Sequence, residues 1–129
     1  MKDRLKKGFW NVLTVIAIIV LASMIISKAV TGWSSVFYYR VFYIMSESME
    51  PVIAENGLVI GRVLSDDEKL LMGNIYAYKR DGILGQEIVI HRLIAITDDG
   101  KYQFQGDNNE LPDEVLVERE DIGYEIVGH

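Results

Sequence analysis

No cysteine occurs in the 129-residue chain, which excludes disulfides, thiolate zinc sites and cysteine nucleophiles and leaves the redox compartment unread. Histidine is nearly as scarce: His91 and the terminal His129 are too few to build a histidine-based metal site. Acidic residues are almost missing from the first 33 positions, where Asp3 alone faces Lys2, Arg4, Lys6, Lys7 and Lys28. The whole chain carries a formal net charge of −6, so the remainder carries −10, and phosphate backbones would repel it; no nucleic-acid partner is expected. Internal repeats and low-complexity tracts are also absent.

What is present begins with one long apolar run. Phe9 to Ser27 contains no charge and only Asn11, Thr14, Ser23 and Ser27 as polar residues. At ~1.5 Å per residue it nearly spans a hydrocarbon core of ~30 Å. The expected organisation is a basic cytoplasmic tail over 1–8, a transmembrane anchor over 9–30, and a β-rich extracytoplasmic domain over 33–129, joined by the few residues around Gly32. Four cations precede the run and Lys28 alone closely follows it, so the positive-inside bias puts the N-terminus in the cytoplasm and the acidic domain outside the cell membrane. A cleaved signal peptide is the competing reading, with Val20-Leu21-Ala22 near a suitable site, but the apolar run exceeds the ~7 to 15 residues of such a segment.

Roughly 95 residues remain for one modest core. Trp33, Phe37, Tyr38, Tyr39, Phe42 and Tyr43 suit either a lipid headgroup region or a buried strand. Beyond Pro51, short β-prone stretches alternate with turn signals: Gly57 to Leu64, Ile75 to Tyr78, Glu87 to Ile96, Tyr102 to Phe104 and Glu125 to Val127. Asp98-Asp99-Gly100 reads as a tight hairpin turn and Lys79-Arg80-Asp81-Gly82 as another. Ser65 to Leu71, with a serine at an N-cap position and acidic residues following, reads as one short helix. The fold class is therefore mainly β: one N-terminal transmembrane helix, then a compact, mostly antiparallel β domain.

Three segments carry candidate chemistry. Ser46-Glu47-Ser48-Met49-Glu50-Pro51 follows the apolar run by about 20 residues, His91 interrupts the apolar stretch Ile88 to Ile94, and Gly106-Asp107-Asn108-Asn109 comes after it. A serine hydroxyl needs a neighbouring base before it can attack a carbonyl, and imidazole is suited to that work. Each residue also has a plainer role: a serine before proline and an aspartate after glycine serve turns, and a histidine in a strand packs.

Together, Ser46-x-Ser48-Met49-x-Pro51, Ile90-His91-Arg92, and Gly106-Asp107-Asn108-Asn109 followed by Asp113 resemble type I signal peptidases. The resemblance is to the branch found in the endoplasmic reticulum, archaea and some spore-forming bacteria, with histidine in place of the catalytic lysine of common bacterial enzymes. Gly73-Asn74-Ile75-Tyr76-Ala77-Tyr78 is similar to the family's Gly-Asp-Ile-Val pattern. The resemblance implies a β domain resting on the membrane, with Ser48 as nucleophile and His91 as general base. It further implies that Asp113 orients His91, that Asp107 is a second, supporting carboxylate, that Ser46 and the Ser48 N–H are oxyanion donors, and that Met49 shapes the substrate pocket. Its implied partners are signal peptides of secretory preproteins, membrane lipid and, in some relatives, accessory subunits; it implies no cofactor.

The chain departs from the family at Gln105, Leu58 and Asn74, and at Glu47, which stands where glycine is frequent and is expected to face solvent. It stops at His129 where relatives continue, so a shortened domain is expected. Two other readings stay open: serine-lysine chemistry with Lys79 as base, and a non-catalytic anchored β domain that binds secretory-pathway partners.

Overall fold

The computed structural model describes residues 1–31 and 38–129. Gly32, Trp33 and Phe37, named above, lie outside the described residues. The chain forms two units, residues 1–38 and 39–129.

Among the described residues, the first unit holds one helix, α1 (Lys2–Thr31). Its stretch Lys6–Ile26 has a mean hydropathy of 2.5 and is long and apolar enough to cross a membrane. Polar side chains within it return their hydrogen bonds to the helix: the Thr14 hydroxyl donates to the Trp10 carbonyl and the Ser23 hydroxyl to that of Val20, each at 2.9 Å.

The second unit is built on six antiparallel strands: β1 (Tyr39–Tyr43), β2 (Leu58–Val63), β3 (Ile75–Gly82), β4 (Gly85–Ile96), β5 (Tyr102–Gln105) and β6 (Ile122–Gly128). Their order in the sheet is β1-β2-β6-β3-β4-β5, so the last strand inserts between the second and third. Alternation sorts the side chains. On β2, Val59 is buried while Leu58 and Ile60 are exposed, and on β1 Phe42 is buried between exposed Val41 and Tyr43. The main core gathers Tyr76, Tyr78, Leu93, Phe104, Val117 and Ile122 with Leu64 and Leu70.

Two expected elements are absent. Ser65 to Leu71 is a turn, closed by one bond from the Glu68 N–H to the Ser65 carbonyl. The Glu68 carboxylate does reach back to the Ser65 N–H as in a capping box, but Arg119 donates to the Ser65 carbonyl that the Lys69 N–H of a helix would have used. Lys79 to Gly82 is likewise not a turn but the end of β3. The register pairs Gly82 with Gly85, which leaves Ile83-Leu84 as the two-residue hairpin loop, and Gly85, the first residue of β4, takes a positive φ of 118°. The Asp98-Asp99-Gly100 turn forms as the pattern predicts, with the Gly100 N–H donating to the Thr97 carbonyl.

Candidate functional site

The site is assembled from one strand and two loops. His91 lies in the middle of β4, opposite Tyr76 of β3, and is only 7% exposed. A buried imidazole needs partners on both nitrogens, and it has them. Nε2 is 3.1 Å from the Ser48 Oγ, and Nδ1 is 2.7 Å from Asp113 Oδ2 and 3.0 Å from Oδ1. An ionised carboxylate can only accept, so the arrangement favours the tautomer with the proton on Nδ1 and leaves Nε2 free to accept from the serine.

Ser48 sits in a tight turn between β1 and β2. The Glu50 N–H donates to the Glu47 carbonyl and the Ile53 N–H to that of Met49, and the Glu50–Pro51 peptide is cis. Ser46 Oγ lies 3.1 Å from Ser48 Oγ, while the Glu47 side chain is exposed. Met49 is 1% exposed and anchors the turn from below; its sulfur accepts the Asp107 N–H at 3.5 Å. Among the described residues, no backbone acceptor takes the Ser48 N–H.

The second loop follows β5 and is tied to the serine turn by its backbone. The Asn108 N–H donates to the Ser48 carbonyl at 2.8 Å. Glycine is required at 106 because a Cβ there would lie 2.5 Å from that same carbonyl oxygen and 2.8 Å from Asn109 Nδ2. Farther along, the Asp113 N–H donates to the Phe104 carbonyl at 2.8 Å, which sets its carboxylate beside His91. Burial pushes the Asp113 carboxyl upward, but the hydrogen bonds from His91 and Tyr78 outweigh it and hold it below the usual carboxylate range.

Asp107 is directed elsewhere. Its two oxygens accept from Arg92 Nε at 2.8 Å and Nη2 at 2.6 Å, a bidentate pair whose hydrogen bonds raise the guanidinium further above its ordinary value. Arg92 Nη1 also donates to the Gly73 carbonyl at 2.6 Å, joining this loop to the turn before β3. Two participants escaped the sequence reading: Arg92, and Tyr78, whose hydroxyl donates to Asp113 Oδ2 at 2.5 Å. A tyrosine within a strand that packs in the core was the available signal, since a buried phenol seeks an acceptor.

Ser46, Ser48, Met49, His91 and Asp113 line one cleft of about 440 Å³, with Ile88, Val89 and Ile90 of β4 along its wall. Among the described residues no cluster of histidine and carboxylate groups could hold a metal ion.

No protein-family model matches the chain. It is similar to signal peptidase I W of Bacillus subtilis (strain 168), at 30% identity over 125 aligned residues that cover 92% of this chain. The chain spans 64% of the length of that relative. The similarity is to a signal peptidase I, and α1 is consistent with a single-pass membrane protein.

Proposed function

We infer that this chain, a relative of a signal peptidase I, is a membrane-anchored serine endopeptidase that removes signal peptides from secreted preproteins. One observation carries the reading: an unbroken hydrogen-bonded line runs from Ser48 Oγ through His91 to the Asp113 carboxylate, and it opens into a cleft.

In this mechanism His91 Nε2 takes the Ser48 proton as Oγ attacks the scissile carbonyl, and Asp113 stabilises the imidazolium that results. The imidazolium then protonates the leaving amine, and His91 activates the water that hydrolyses the acyl-enzyme. The Ser48 N–H and the Ser46 hydroxyl are the proposed oxyanion donors, each of a kind worth ~2.7 to 4 kcal/mol in the transition state. Met49, packed beneath the turn, shapes the pocket floor. Asp107 supports the loop through Arg92 and takes no part in proton transfer.

The basic residues before the apolar stretch orient the N-terminus to the cytoplasm, with the domain outside. A preprotein held in the same bilayer then meets the enzyme at raised effective concentration, and a pocket accepting small side chains at the −1 and −3 positions selects its cleavage site. An extended substrate segment can add alongside the cleft as a further strand. Lys79 does not line the cleft, and its place on β3 opposite Ile88 gives the serine-lysine alternative no support.

The test is cleavage of a preprotein in liposomes by the full chain and by Ser48→Ala and His91→Ala. Both variants should lose several orders of magnitude in rate while remaining folded. Folded wild-type protein that cleaves none of several preproteins would leave the non-catalytic binding domain as the better reading.

A further inference from the structure

Asp113 has no secondary-structure element of its own to hold it. It lies on a loop, its carboxylate turns about a broad, two-fold torsion, and the His91 Nδ1 sits almost evenly between its oxygens at 2.7 and 3.0 Å. Such a carboxylate needs a second fixed partner to present one oxygen steadily. Tyr78 fits that need: its hydroxyl is 2.5 Å from Oδ2, the same atom that receives the shorter bond from His91.

We propose that Tyr78 is a positioning residue of this site, whose hydroxyl clamps the Asp113 carboxylate and moderates how strongly it draws on the His91 Nδ1–H. The proposal rests on the serine-histidine reading above and extends it to a fourth side chain.

The phenol is well placed for the role. Tyr78 is 1% exposed, lies on β3 between β4 and β6, and stacks on Phe104 with ring centroids 4.5 Å apart and planes at 25°. Phe104 also accepts the Asp113 N–H through its carbonyl, so one residue fixes both the backbone of the carboxylate and the ring that holds its oxygen. Burial pushes the Tyr78 hydroxyl well above its ordinary range, and Asp113 pushes it further, so it remains a donor throughout the pH range of catalysis.

The charged groups nearby leave this part to Tyr78. Arg80 of β3 and Glu87 of β4 influence Asp113 or Tyr78 electrostatically, but they are paired with each other at 2.6 Å. A cation bonded directly to Asp113 would neutralise the charge that supports an imidazolium. A neutral hydroxyl orients the carboxylate and leaves that charge in place.

The experiment uses the full chain in detergent micelles with His129→Gln, so that His91 is the sole histidine. Tyr78→Phe removes only the oxygen. Asp113 then loses a donor, becomes a stronger acceptor for the Nδ1–H and is less firmly oriented. The Nδ1–H proton resonance should move downfield, the acid limb of the kcat/KM profile should move to higher pH, and kcat should fall roughly tenfold with KM unchanged, the scale of one hydrogen bond. These effects should vanish when Tyr78→Phe is made in an Asp113→Asn background.

Replacing Tyr78 by 3-fluorotyrosine, a stronger donor of nearly the same size, should move the resonance the opposite way, and it serves if the phenylalanine variant fails to fold. An unchanged resonance in both variants, or an effect that persists without Asp113, overturns the proposal. The resonance needs no turnover, so a protein that is inert yet shows both shifts would refute the peptidase reading and keep the clamp.

Discussion

The carboxylates of Asp107 and Asp113, six residues apart in one loop, are held by neighbouring residues of β4: Asp107 by Arg92 at 2.6 Å and Asp113 by His91 at 2.7 Å. Successive strand residues direct their side chains to opposite faces, so one loop reaches two different environments from adjacent positions. Asp107 receives a bidentate guanidinium, and Asp113 receives an imidazole and a phenol.

The two aspartates should therefore separate on mutation. Asp113→Asn is expected to lower kcat about 10⁴-fold, the scale of losing the carboxylate that selects the tautomer of a catalytic histidine, with the fold retained. Asp107→Asn should act on stability, by about 1.5 kcal/mol, near the low end for charged hydrogen bonds because Arg92 is partly solvent-exposed. Paired denaturation curves and single-turnover rates for the two variants check this. Equal rate losses at unchanged stability would put Asp107 in the proton-transfer line as well.

Acid should weaken the domain through Asp113. Its carboxyl is depressed in the folded state, so the stability it contributes is fully present above the unfolded value of ~3.9 and is lost as pH falls through the lower folded value. Denaturation midpoints followed from neutral pH to below pH ~4 should decline in the wild type. The Asp113→Asn variant should decline less over the same interval. A variant with the same acid slope would show that other carboxylates account for it.

Gly106→Ala should uncouple the serine turn from the aspartate loop. The added Cβ would lie 2.5 Å from the Ser48 carbonyl oxygen, so the Asn108 N–H bond to that oxygen must stretch and Ser48 must shift relative to His91. A displacement on the order of 1 Å at a reacting group costs roughly 10²-fold in rate, and overpacking of this kind about 1 to 3 kcal/mol in stability. Preprotein cleavage and thermal unfolding measured together would test both. Wild-type kinetics in this variant would mean that the turns tolerate separation.

Much of the fold was legible because local patterns carried it. β-prone stretches set off by turn signals marked β2 to β6 to within a few positions, and Asp98-Asp99-Gly100 marked its own turn. The two misread segments were decided from afar. Arg119 took the Ser65 carbonyl that a helix over Ser65 to Leu71 required, and the β3–β4 register moved the expected turn from Lys79-Gly82 to Ile83-Leu84. A charged, glycine-ended tetrapeptide and an apolar dipeptide compete for one loop, and cross-strand pairing settles which is chosen.

By itself, then, the sequence determined what depends on composition and short-range pattern: a membrane-length apolar helix, a β domain poor in cysteine and histidine, and a short set of candidate serines, aspartates and one interior histidine. Only the tertiary structure decided which carboxylate faces the histidine, because Asp107 and Asp113 share a loop and differ only in the partner each can reach. It also brought Tyr78 and Arg92 to those carboxylates, from β3 and β4 respectively. Hydrogen bonds between groups 15 to 43 positions apart leave no periodic trace in a sequence, since they depend on how strands stack side by side rather than on what neighbours a residue along the chain.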